Sequence, residues 1–561
     1  MTTMAEPDRQ QELGELLAAS VTAARAGDHA TSWRLTSEFG TRFWLVEPTD
    51  LPDLVDNLTE VQRTEFHVLR AAAADRMELH DDTVSEVRAW RARAEADGDI
   101  PSAVLALSSL CLVAMVVECD DAVLTGGLAP SAALLTELAA RIEDAGAGVS
   151  DDTPGHTRAC LSLAAMAGLT CATSTENPGM RARFRGLSDR FTSPSAQPGD
   201  RVLTEAQQLH ADGRAAEAVE LVTGYLAELD EELSPTQAYE AHDVLGYFAL
   251  TAGEIPEDMD TAGVLEHWRA CAELALAIGA PLEGMHRAEQ VCQLLNADGA
   301  YDQAYDLARR YSVALKGAPV SPALLNLRAV RARSALGADL PYEAFALAAS
   351  TADWSALTPD TERTLACLSI ATMAAEEAGE AGTVGSSTTG ETVVGLLERA
   401  AALHLDRGER ISAAQILRTA ARERCASGWY SRAVEFMERA LRVLEDVPAN
   451  TEDDMLTWHL ADWNEDMSAV WEMAERPDLA VGYAERAARL FRDARDHSGS
   501  AMNWVSAAEL YFDQGDGPSC DRALDLAHGE LTSIPDAEDP SDAGENAVWQ
   551  GYHTLRNLRQ N

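Results

Sequence analysis

Between residues 430 and 445, apolar side chains recur at steps of three and four. Ala433, Phe436, Met437, Ala440, Leu441 and Leu444 therefore share one face of a helix. Charged residues take the other side, where Glu435 and Arg439, like Glu438 and Arg442, stand four apart and are spaced to pair. The same rhythm runs through nearly the whole chain, without the sustained alternation that marks a strand. The pattern predicts an all-α protein. Short breaks rich in Gly, Pro, Asn and Asp separate the helices, among them ADGDIPS (96–102), NADGAYD (296–302), GADLPYE (337–343) and FDQGDGPS (512–519). Connections this brief make neighbouring helices antiparallel.

Three stretches are looser: DAGAGVSDDTPG (144–155), TSPSAQPG (192–199) and the Gly/Ser/Thr run EAGTVGSSTTGET (380–392). The expected organisation is an N-terminal helical region over 1–195, helical repeats over 196–380, a mobile loop at 381–392, clearer repeats over 393–535, and an acidic tail with a short last helix over 536–561.

One pattern recurs in different words. GRAAEAVELVTGYL (213–226), GAYDQAYDLARRYS (299–312) and GWYSRAVEFMERAL (428–441) each open on Gly, place Ala five residues later, and keep small or apolar residues at helical spacing. The stretch 501–527 adds the preceding helix: Trp504, Ala508 and Tyr511, then Gly515, then Cys520, Leu524 and Ala527, with Pro535 beyond. This resembles the tetratricopeptide repeat. The opening pattern matches through Gly428, Tyr430, Ala433, Met437 and Ala440, preceded by Leu417 and Ala421, with Arg424 where the family favours tyrosine. Other copies run through Gly299, Tyr301, Ala304, Ala308 and Tyr311, through Gly213, Ala218, Val222 and Tyr225, and, without the glycine, through Ala480, Ala484 and Ala487. The resemblance covers 200–535 well. Over 1–199 it rests on AGDHATSWRLTSEF (26–39) alone. It implies a right-handed α-solenoid of stacked antiparallel helix pairs, with small residues where helices approach closely.

Charge changes the picture next. Asp and Glu number 92 against 44 Lys and Arg, a formal net charge of −48, and Lys316 is the single lysine. A surface this negative repels phosphate backbones and anionic lipid, which argues against nucleic acid and membrane as partners and favours a basic one. Nine cysteines stand singly in apolar stretches without a C-x-x-C pair, and the N-terminus lacks the basic-then-apolar order of a signal peptide. The expectation is a cytoplasmic protein with buried thiols. The uncharged run PSAVLALSSLCLVAMVV (101–117) is too short to span a bilayer and reads as a buried helix.

Catalytic motifs are missing. Lys316 is followed by Gly and Ala, so no phosphate-binding G-x-x-x-x-G-K-[ST] exists, and H-E-x-x-H and G-x-S-x-G are absent. LDEEL (229–233) and GEIPEDMDT (253–261) lack the spacing of a calcium loop. The expectation is a non-enzyme with no cofactor and no metal.

In tetratricopeptide folds the first helix of each pair lines a groove. By register with Ala433, Gln415, Arg418 and Arg422 face it. The two arginines, four apart, are placed either to clamp a carboxylate or a peptide terminus, or to pair with glutamates of adjacent repeats. The latter is the favoured reading. His286, Glu289, Gln293 and Asn296 form a similar stripe before Gly299, and Asp462, Glu465 and Glu472 form an acidic one before Ala480. Trp458 and Trp463 stand among those acids, as core residues or as a surface for a basic peptide. Two functions fit: a scaffold that binds a peptide or protein in the groove, and a sensory module, resembling the helical-repeat portions of bacterial transcription regulators, that acts on a separate effector.

Overall fold

The computed structural model describes residues 6–44, 58–115, 130–149, 155–175, 177–191, 198–211, 213–229, 235–251, 261–356, 360–380, 386–447, 455–534 and 543–560. Among the described residues there are 25 α-helices and no strand. The chain is an all-α solenoid of antiparallel helix pairs, divided into two compact units, Met1–Ala338 and Asp339–Asn561.

A single turn design recurs along the chain. Helix Arg410–Ala426 ends at Ser427, Gly428 takes a left-handed φ of 76°, and Trp429 starts helix Tyr430–Glu445. The Trp429 N–H returns to the Arg424 carbonyl at 2.8 Å, closing the helix end. Gly27, Gly98, Gly213, Gly279, Gly299, Gly408 and Gly515 repeat this geometry with φ between 68° and 79°. Where the glycine is lacking, Glu78, Asp339, Glu475 and Arg495 occupy the same position at φ 57–63°. The copy through Ala480 is therefore built on the same turn, with Glu475 in the glycine's place.

In the second unit, the first helices of the pairs are Thr361–Glu380, Arg410–Ala426, Leu456–Met473 and His497–Asp513. Their partners are Ser386–Asp406, Tyr430–Glu445, Pro477–Asp493 and Gly517–Leu531. Close approach comes from small side chains: Ala480, Ala484 and Ala487, like Ala433 and Ala440, are fully buried. All six residues of the apolar face read from 430–445 lie in the core. The charged side differs from the expectation: Arg439 pairs with Glu398 of the preceding pair (2.7 Å), and Glu435 is taken by Arg432 (2.6 Å). Asp353–Arg399, Glu398–Arg439 and Glu445–Arg486 form a ladder that joins successive second helices.

Two boundaries also move. Helix Ser386–Asp406 begins inside the run expected to be a loop, while 381–385 lies outside the described residues. The last helix, Ala543–Gln560, is not short but 18 residues long, and packs on the final pair. Cys119 also lies outside the described residues. Of the described cysteines, all are free and all but Cys425 are buried, and burial pushes the thiols of Cys160 and Cys171 up to about 12. No helix among the described residues is long and apolar enough to cross a membrane.

The first unit holds a connection that periodicity does not announce. Helices Glu6–Ala26, His29–Arg42 and Glu60–Arg76 pack together around Leu17, Phe39 and Phe66, and then return to helix Pro281–Ala297. Gly40 makes room for Leu282: a Cβ there would lie 2.5 Å from the leucine's Cδ1.

Candidate functional site

Arg418 sits in a polar knot between two first helices. Its guanidinium reaches Asp462 and Asp466 of helix Leu456–Met473 at 2.5 Å each, and lies over the Trp463 ring at 5.4 Å. Only 16% of its side chain is exposed. Arg422, one turn on and 61% exposed, adds a contact to Asp466 at 3.0 Å. The two arginines therefore bind neighbouring carboxylates instead of forming an open clamp, and the partners are aspartates. Gln415 is exposed on the same helix, two turns before Arg422.

The acids that follow are not neutralised in the same way. Glu465 accepts a hydrogen bond from the Asn503 amide at 2.9 Å. Burial, the Asp462 carboxylate and the Asp466 carboxylate together push the pKa of Glu465 up. Glu509, on helix His497–Asp513, keeps a surface open to solvent, and its pKa is raised by partial desolvation of its carboxylate and by the charges of Glu472 and Asp513. Glu472, Glu509 and Asp513 are exposed, and exposed Met473 and Met502 stand beside this acidic line. Among the described residues no arginine pairs with Glu465, Glu472, Glu509 or Asp513. Trp463 is buried, whereas Trp458 is half-buried and donates to Asp496 at 3.2 Å.

The stripe on helix Pro281–Ala297 is less uniform than its spacing implies. His286 and Gln293 are exposed, and Gln293 donates to Glu289 at 2.9 Å. Asn296 does not face a groove: it is buried and accepts a hydrogen bond from Ser334 at 3.0 Å. Helix Pro322–Gly337, the next but one along the chain, covers it. Sequence reasoning missed the residues just before the stripe. Glu283 meets Arg76, and the Leu282 N–H donates to Ser37 Oγ at 3.2 Å, a capping bond for a helix whose own N-cap is Ala280. Pro281 at the first helical position marked that helix start, but nothing local marked the partners.

A recess of about 230 Å³ between helices Thr261–Ala277 and Tyr301–Ala314 is lined by Arg269, Glu273, Gln303 and Arg310. Its polar groups bond one another, Arg269 to Gln303 at 3.0 Å and Arg310 to Glu273 at 2.8 Å. Among the described residues, no group of three or more His, Cys, Asp or Glu is placed to hold a metal.

No protein-family model and no curated protein matches the sequence. Solved structures similar to the chain include a putative kinesin light chain from Podosopora anserina with nearly identical TPR-like repeats (16% identity, 37% of this chain and 95% of that one, TM-score 0.27). A Rap protein complexed with Competence and Sporulation Factor is another (12% identity, 68% and 99%, TM-score 0.28). A third is a signal-transduction ATPase from Pyrococcus horikoshii with a tetratricopeptide repeat sensor (10% identity, 86% and 69%, TM-score 0.33). The tetratricopeptide-like character of this chain rests on its own hairpins, with their left-handed turns and buried alanines.

Proposed function

We propose that this protein is a non-catalytic interaction scaffold that receives a basic peptide segment on the first-helix layer of its second unit. The observation that carries this reading is the line Glu465, Glu472, Glu509 and Asp513, four carboxylates without an arginine partner among the described residues. On the preceding first helix, Arg418 and Arg422 are already committed to aspartates. Like charges gathered this way repel one another, and an arriving guanidinium or ammonium relieves the repulsion. Met473 and Met502 offer pliant apolar contact for the rest of the segment. The chain's net charge of −48 steers basic partners toward it.

The test is partner capture with chemical crosslinking, comparing the unaltered chain with Glu472→Lys/Glu509→Lys. Crosslinks from a basic segment to helices Leu456–Met473 and His497–Asp513, lost in the variant, are the expected result. A partner retained equally by both proteins defeats the assignment of this face.

A further inference from the structure

We infer that the basic segment received by the carboxylate line is helix Pro178–Phe191 of a second copy of this chain. This rests on the reading that the line takes basic segments, and it names the supplier. The charge of the chain is not spread evenly. Residues 155–199 hold Arg158, Arg181, Arg183, Arg185 and Arg190 against only Glu176 and Asp189, in a sequence where acids outnumber Lys and Arg by 92 to 44. Four of those arginines fall on helix Pro178–Phe191. Helix Pro322–Gly337 carries three arginines as well, but Arg331 lies over the Tyr305 ring at 5.3 Å and only Arg333 is exposed.

Helix Pro178–Phe191 uses part of its charge to hold itself in place and turns the rest outward. Phe184, Leu187 and Phe191 bury its inner face. Arg183 grips Glu143 through two N–H groups at 2.8 and 2.6 Å, and Arg190 donates to the Gly146 carbonyl at 2.9 Å. Arg181 and Arg185 have no carboxylate partner among the described residues. Arg185 is exposed and meets only the neutral Gln208, at 2.5 Å, while Arg181 is half-buried one turn before it. Ala182 and Gly186 lie exposed beside them, and a Cβ at Gly186 would meet nothing within 4 Å. Side chains this small let an incoming helix approach closely.

The two faces match in charge and in spacing. Arg181 and Arg185 are four residues apart, as are Glu509 and Asp513 on helix His497–Asp513. In both cases the pair shares one helix face, with about 6 Å between the groups along the axis. Two helices laid side by side then set two guanidiniums against two carboxylates in register. Repulsion between copies that each carry −48 does not forbid this. At about 0.15 M salt, charges more than about 8 Å apart are largely screened, whereas those in the contact are not. Because the two faces differ, each added copy offers a fresh one, and the copies extend in a row or close into a ring.

Sedimentation of the full chain over a range of concentrations, at about 0.15 M salt, tests this. Assembly should grow with concentration, and should be lost in Arg181→Gln/Arg185→Gln and in Glu509→Gln/Asp513→Asn when each is alone. Mixed in equal amounts, the two variants keep one intact face each and should form dimers of one copy of each, which a misfolded variant cannot do. Assembly retained by either variant overturns the inference, as does a mixture that stays monomeric. An unaltered chain that stays monomeric, while nona-arginine slows its hydrogen exchange at 456–513, overturns the inference and leaves the scaffold reading standing. Neither assembly nor that protection overturns both.

Discussion

Arg418 gathers two aspartates over a buried indole, and its worth lies in what it prevents. Without it Asp462 loses its ion pair and Asp466 keeps only the exposed Arg422. Arg418→Met should therefore cost about 1–3 kcal/mol in urea unfolding, discounted for the partial exposure of the group. In a cycle with Asp466→Asn, the coupling should be at least about 0.5 kcal/mol, and a smaller value removes the knot from the account. Glu509 acts in the opposite sense. Its folded pKa lies above the ordinary 4.5, so in the window just above 4.5 the native state holds a proton the unfolded chain has lost. Stability therefore falls as pH rises through that window. Glu509→Gln should unfold at higher temperature than the parent at pH 7, and the gain should vanish at pH 4. Equal gains at both pH values would contradict the assigned cause. The helix period was enough to set Arg418 and Arg422 on one face, but their partner Asp466 lies 48 and 44 residues on and was hidden. Asn296 was misplaced for a related reason: spacing alone cannot say which polar residue of a stripe the next helix will cover.

At the scale of the element, the three-residue turn decides where helices end. Gly428 adopts φ 76° at no steric cost, while Glu475 adopts φ 57° against the clash between its Cβ and the backbone. Gly428→Ala should destabilise by about 1–2 kcal/mol. Glu475→Gly should stabilise by about 0.5–1 kcal/mol, once the extra freedom of glycine in the unfolded chain is subtracted. If both substitutions destabilise in urea titrations, the turns are not equivalent. Helices and glycine turns were legible because periodicity and the left-handed conformation leave a mark in residue type. Glu78, Glu475 and Arg495 leave none, since tertiary packing alone holds them there. Helix Ser386–Asp406 likewise begins among Gly, Ser and Thr residues whose propensities favour a loop, with Val393, Val394 and Leu397 buried further along it.

For the whole molecule, the sequence read one residue at a time describes a string of hairpins, whereas the first unit folds its N-terminal helices back onto a helix more than 200 positions away. No local pattern encodes that return. It follows from a glycine small enough to admit Leu282 and an arginine matched to an enclosed glutamate. Charge was legible from the start, and the helices turned a net −48 into one particular line of carboxylates. Selection of a random displayed-peptide library on the full chain tests that line, with affinities of the enriched peptides measured against Glu472→Lys/Glu509→Lys. The enriched peptides should be rich in arginine or lysine, and their Kd should rise at least about tenfold in the variant, with the melting temperature little changed. Enriched peptides that are neutral or acidic, or that bind both proteins alike, would contradict it.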